Sequence, residues 1–233
     1  LVRSRELSPH QELTVNRRPT LLAAATLTAA AVLSLAACGG GDGDSKENDK
    51  IAGAGSGEKR ESPSPTASDD GIERPEIKLP KDVKHAFEGG STGDKTKDSA
   101  LADNEQNLKA IDSAITVGED SAQAALKLYN KDKALVSAAS YIKSFYDDGR
   151  SFVGTTRYYQ REITLHAGGT ATLSYCADAT KTYPMDRKTK KVDRSVPASA
   201  DDYTFFSERL KKSPEGVWQS VNVTSGPGAE KCM

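Results

Sequence analysis

The chain is short of the residue types that most site chemistry draws on. Its 233 positions hold three cysteines, three histidines, one tryptophan and 6% aromatic residues. His10, His85 and His166 stand far apart, and no His/Cys/Asp cluster has metal-ligand spacing, so no metal and no cofactor is expected. There is no Cys-x-x-Cys pair, the arrangement a redox dithiol prefers. Charge of one sign is also missing. With 32 basic against 33 acidic residues there is no electrostatic ground for nucleic-acid binding. Because 28% of the residues are charged and aromatics are scarce, the hydrophobic core must be small, enough for one domain of ordinary size.

Long apolar runs are absent with one exception. Residues 20–37 form an Ala/Leu/Thr-rich stretch behind Arg17 and Arg18, ending in small residues immediately before Cys38. A basic segment, an apolar segment and a small-residue cut site make a secretory signal over 1–37. The run is short for a membrane span, and no positive stop-transfer cluster follows it. Leu35-Ala36-Ala37-Cys38 resembles the lipobox of bacterial lipoproteins. That resemblance implies cleavage before Cys38 by signal peptidase II and a diacylglycerol on the Cys38 thiol. The mature protein is then expected on the extracytoplasmic face of the cell membrane, held there by lipid. Residues 1–14 lengthen the basic segment without evident use and are read as untranslated, with Val15 as the start. Taking the four basic and two acidic residues of 1–37 from the totals leaves a net charge of −3.

With Cys38 lipidated, Cys176 and Cys232 are left on the oxidising side of the membrane, where a disulfide between them is expected. Residues 38–96 are read as a disordered linker. They contain Gly39-Gly40-Gly41-Asp42-Gly43-Asp44 and Ser62-Pro63-Ser64-Pro65, and too few apolar residues to offset chain entropy. A flexible segment of about 60 residues spans about 40–45 Å, so the domain can stand clear of the headgroups. Within it, 72–87 sets apolar residues between prolines and suggests an extended strip lying along the domain. His85 is read there as an exposed linker residue.

From 97 to 233 the pattern becomes that of a folded domain. Leu101, Leu108, Ile111 and Ile115 share one helical face. Asp120 or Ser121 can cap a second helix burying Ala122, Ala125, Leu126 and Tyr129, and Asp132 a third with Leu135, Ala138, Tyr141, Ile142 and Phe145 inward. The third helix stops at Asp148-Gly149, where glycine suits the left-handed cap. The period then changes to two. Strands are expected over 155–165 and 170–177 around His166-Ala167-Gly168-Gly169, with Ala171, Leu173 and Tyr175 on one face. Residues 181–200 read as a polar excursion whose basic run, Arg187 to Lys191, is a solvated loop tip. A second hairpin, 203–210 and 217–224, turns at Ser213-Pro214-Glu215-Gly216. Val217, Val221 and Val223 are expected to face one way and Trp218 the other.

Helices first and hairpins afterwards imply an α+β fold, with N-terminal helices on one face of a curved antiparallel sheet. The order of elements, with Gly154-Thr155-Thr156-Arg157-Tyr158-Tyr159, Ala171-Thr172-Leu173-Ser174-Tyr175-Cys176-Ala177-Asp178 and Gly216-Val217-Trp218-Gln219, resembles the nuclear-transport-factor-two-like cone. More closely it resembles uncharacterised actinobacterial lipoproteins that carry such a domain after a long polar linker. The resemblance implies a cavity between sheet and helices and no established activity.

Arg157, Tyr159, Tyr175, Asp178 and Trp218 are the candidate pocket residues. A carboxylate in an apolar cone has a raised pKa and can serve as a general base, which singles out Asp178. The alternative is that Asp178 ends its strand and bonds the turn Ala179-Thr180-Lys181, while the tyrosines and Trp218 pack. No acid–base dyad is evident, so no catalytic residue is assigned. The chain is read as a lipid-anchored surface protein, not an enzyme, binding a small ligand or another envelope protein. The alternatives are a cyclase- or isomerase-like enzyme using the same pocket, and a scaffold in a secretion or conjugation assembly. The lipobox weighs against the scaffold, since such parts usually keep a transmembrane helix.

Overall fold

The computed structural model describes residues 71–233. The expected signal sequence and lipobox, Cys38 and the first part of the expected linker lie outside the described residues. The elements run β1 (Val83–Phe87), α1 (Lys95–Thr116), α2 (Gln123–Tyr129), α3 (Asp132–Asp147), β2 (Arg150–His166), β3 (Thr170–Asp186), β4 (Tyr203–Lys212) and β5 (Trp218–Pro227). The strands form one five-stranded sheet in the order β1-β2-β3-β4-β5. β1 lies parallel to β2, and the other neighbours are antiparallel. The helices pack on one face of this curved sheet, which is the expected α+β architecture.

The domain begins well before residue 97. Asp94 caps α1 by accepting from the amides of Thr96 at 2.8 Å and Lys97 at 3.2 Å, so the helix starts at Lys95. Further back, Ile72, Ile77 and Leu79 pack against the core formed by α1, α2 and α3, so the apolar strip does lie along the domain. Its last part goes further and joins the sheet, where Val83 is 5% exposed. His85 is not a linker residue at all: its side chain is 2% exposed and bonded to Asp112. The two-residue alternation Val83-His85-Phe87 is what turns these three inward together.

β3 is longer than expected. Residues 181–186 belong to it and pair with the start of β2, leaving only 187–200 as the excursion. Of the basic run, Arg187 does not point to solvent. Its guanidinium lies 3.7 Å from the Tyr146 ring and donates to the Ile115 carbonyl at 2.6 Å, a cation at the end of α1 where the carbonyls lack helical partners. Register shifts at Thr155/Arg157 and Tyr159/Glu162, and at Arg209/Leu210 opposite β5, give the sheet its bend. Gly154, at φ +119°, sits against the Lys181 carbonyl where no side chain fits. The shift in β5 also overturns the expected facing. Ser220 and Val223 point to the same interior as Trp218, because Val221 is the extra residue.

Two caps differ as well. Neither Asp120 nor Ser121 caps α2: the Ser121 hydroxyl donates to Gly118 O, and Asp120 accepts from the Gln123 side chain. Asp132 is the first residue of α3 rather than its cap. At the other end Gly149 adopts φ +63°, as its position after the helix requires. Cys176 and Cys232 are joined, which fastens the C-terminal tail onto the sheet face opposite the helices. Among the described residues no helix is long and apolar enough to cross a membrane.

Candidate functional site: the cavity between sheet and helices

Curvature leaves a cavity of about 550 Å³ between the sheet and helices α1 and α3. Its walls are largely apolar, with Leu108 and Ile111 from α1, Phe145 from α3, Phe152 and Tyr158 from β2, and Phe206 from β4. Ligand pockets commonly combine such walls with a few polar groups. Among the polar groups here are two buried acidic side chains, one on the sheet and one on α1.

The sheet contributes Glu208. Alternation along β4 places it between Phe206 and Leu210 on the inner face, 4% exposed. Its Oε1 accepts from the Tyr175 hydroxyl at 2.6 Å and from the Asn104 amide at 3.3 Å. Oε2 is buried beside Ser220 without a hydrogen bond of ordinary length, and the Ser220 hydroxyl is likewise unbonded. Burial raises the Glu208 pKa, against the hydrogen bonds that favour the ionised form. Burial, with Glu208 next to it, pushes the Tyr175 phenol well above its usual range.

The helix contributes Asp112, one turn after Leu108 on the apolar face of α1. Its Oδ2 bonds the His85 Nε2 at 2.6 Å. The His85 ring stands edge-on to Phe87 and Tyr158, with centroids 5.6 and 5.4 Å away. Burial first, and the Asp112 carboxylate after it, raise the Tyr158 phenol well above its usual range.

Of the expected pocket residues, Tyr175 lines the cavity. Arg157, Tyr159 and Asp178 do not: they lie on the opposite face of the sheet. Inner residues of β2 are Thr156 and Tyr158, and those of β3 are Tyr175, Ala177 and Ala179, so the intervening positions must face out. There Arg157 pairs with Glu88 at 3.2 Å and Asp178 at 3.3 Å and lies over the Tyr159 ring. The Tyr159 hydroxyl donates to the Cys232 carbonyl. Although burial pulls the other way, bonds from the Thr180 hydroxyl and amide and from Arg157 hold Asp178 below the usual carboxylate range, the reverse of a poised base. Its bond to Thr180 is the local turn contact expected, made inside a continuing strand. Trp218 is 3% exposed and packs in the cluster of Leu101, Tyr175 and Leu210 instead of lining the cavity. Among the described residues no group of three or more His, Cys, Asp or Glu is placed to hold a metal ion.

No family model and no curated protein matches the chain. Solved structures do. A ketosteroid isomerase-like protein from Erwinia carotovora atroseptica is similar over 57% of this chain and 97% of its own, at 16% identity and TM-score 0.41. The intermembrane space region of the chloroplast protein ARC6 covers 55% and 95%, at 15% identity and TM-score 0.35. A protein from Novosphingobium aromaticivorans, described as a candidate aromatic ring hydroxylase, covers 56% and 90%, at 11% identity and TM-score 0.39. Likenesses at this level carry no argument about function.

Proposed function

We propose that this chain is an extracytoplasmic lipoprotein, tethered through Cys38, whose domain holds a small and largely apolar molecule in the cavity. The carrying observation is the inner end of that cavity. Glu208 Oε2 and the Ser220 hydroxyl are buried beside each other, and among the described residues neither makes a hydrogen bond of ordinary length. Buried polar groups are almost always paired, and leaving one unpaired costs about 1–3 kcal/mol. A polar group on an apolar ligand satisfies both at once, and the walls bury the remainder. Nile red, a neutral apolar dye, tests this. The protein should give saturable, blue-shifted emission with one site, and Ala177→Phe, which fills the cavity from β3, should abolish it without lowering the unfolding midpoint. Equal dye binding by both proteins would overturn the assignment. The anchor is tested separately, since Cys38→Ala should move the protein out of the detergent phase.

The raised pKa of Glu208 favours one second reading, an acid–base enzyme of the cyclase or isomerase kind with Glu208 in the role expected of Asp178. β-Tetralone, an apolar enolisable ketone, should then exchange its α-protons with D2O in the presence of the wild type and not of Glu208→Gln. No exchange by the wild type would leave binding alone.

A further inference from the structure

We propose that Asp112 is the recognition point for a protonated amine, so that the molecule held in the cavity carries an ammonium group on an apolar or aromatic body. This rests on the cavity being the ligand site. Burying a carboxylate is expensive unless a cation or several donors face it. Asp112 is 8% exposed, and among the described residues no Lys or Arg is paired with it. Its one side-chain partner is His85, through Oδ2.

The hydrogen bonding of His85 settles what that partner offers. Its Nδ1 is buried and meets no acceptor. A proton on Nδ1 would be a bare buried donor, whereas a bare lone pair is the cheaper orphan. The tautomer that leaves no bare donor carries its proton on Nε2 and donates it to Asp112, so His85 faces the carboxylate with a hydrogen bond and not with the fixed cation of a Lys or Arg. Oδ1 of Asp112 accepts no hydrogen bond from the described residues, and Asp112 lines the cavity.

The surroundings suit a cation. Tyr141, Phe145 and Tyr158 line the same cavity, with Tyr141 edge-on to Phe145 at 5.3 Å. Aromatic faces attract ammonium groups, most strongly where water is excluded. The other charged residues of the lining are Asp202, Glu208 and Arg150, and Arg150 is already paired with Asp148. The balance inside is negative, which favours entry of a cation. Glu208 and Ser220 remain available to a second polar group, so the ligand class is an amphiphilic amine.

A matched pair of probes decides the point: 4-phenylbutylamine and 4-phenylbutan-1-ol, titrated calorimetrically against the full chain in detergent at pH 7. The amine should bind about tenfold more tightly, as expected when a charge-assisted hydrogen bond replaces a neutral one. Asp112→Asn should erase the preference and leave the alcohol within about twofold. The introduced amide oxygen still accepts from His85, so β1 keeps its place. Tyr141→Leu, at a half-exposed position by the mouth, should weaken the amine by about twofold to fivefold and spare the alcohol. Equal binding of amine and alcohol by the wild type would overturn the proposal while leaving the cavity a ligand site. So would a preference that survives Asp112→Asn. Binding of neither probe would overturn both.

Discussion

Replacing Cys176 and Cys232 together with alanine opens a loop that spans 56 positions. For that length the loop-entropy relation gives about 4 kcal/mol of stabilisation, acting chiefly by restricting the unfolded chain. What else holds the tail is weak by comparison. The Tyr159 hydroxyl bonds the Cys232 carbonyl, and Lys231 lies over the Phe205 ring, contacts worth about 1 kcal/mol each. In a domain of this size a loss of about 4 kcal/mol lowers the melting temperature by about 8–16 °C. Thermal unfolding of the oxidised wild type and the double variant, at matched pH and concentration, reads this directly. The tail past Ala229 should also become open to carboxypeptidase. A chain ending at Gly228 and carrying Cys176→Ala should melt no more than about 4–8 °C below the double variant, the loss set by those two contacts. A drop below about 2 °C for the double variant, with the tail still protected, would refute the reasoning and show that packing alone fixes it.

Three further perturbations address the interior. Glu208 has a folded pKa raised above its ordinary 4.5, so the folded state binds more protons than the unfolded one between the two values. Its contribution is therefore fully present below about pH 4.5 and is lost as pH rises through the folded pKa. Urea midpoints at pH 4.5 and 7.5 should show Glu208→Gln gaining on the wild type at the higher pH, and a pH-independent difference would contradict this. Gly154→Ala sets a side chain against the Lys181 carbonyl at a φ of +119°, and should cost about 2–4 kcal/mol in chemical denaturation. Arg161 pairs with Glu105 at 2.7 Å, both nearly fully buried, and ties β2 to α1. Arg161→Ala should cost about 3–5 kcal/mol by stranding Glu105, while Arg161→Met with Glu105→Gln should recover most of it.

The α+β order was legible because each class of element carries its own period. Leu108, Ile111 and Ile115 mark a helix by spacing alone, and Ala171, Leu173 and Tyr175 mark a strand. Gly149 and the Gly168-Gly169 pair mark stops, and all three take positive φ. Boundaries failed where the deciding contact is distant in sequence. Thr182 and Tyr183 look like loop until the first residues of β2 lie opposite them. Val83 to Phe87 looks like linker because a five-residue parallel edge strand has no local signal, its partners being Gly154 to Tyr158. The single extra residue at Val221 reverses the facing of everything after it, and nothing in Val217 to Thr224 announces it.

The site was more legible than the residues first chosen for it. Tyr175 shares a face with Ala171 and Leu173, so Asp178, at an odd offset, belongs to the other face by the same alternation. What the period does single out is a charge standing where an apolar residue is due. Glu208 falls between Phe206 and Leu210 on the inner side of β4, and Asp112 between Leu108 and Ile115 on the inner side of α1. His85 falls between Val83 and Phe87 in the same way. Each breaks the pattern of its own element, and all three are buried. Such breaks cost stability unless something repays them. Elsewhere in this core the repayment is visible, as Arg161 faces Glu105 and Arg74 faces Asp103. Glu208 and Asp112 have no such cation among the described residues, and both open on the cavity. On the proposed reading, two acidic groups kept at an apolar wall without a matching cation are accounted for by what the cavity receives, and that makes the amine and alcohol titrations a test of why these residues are acidic at all.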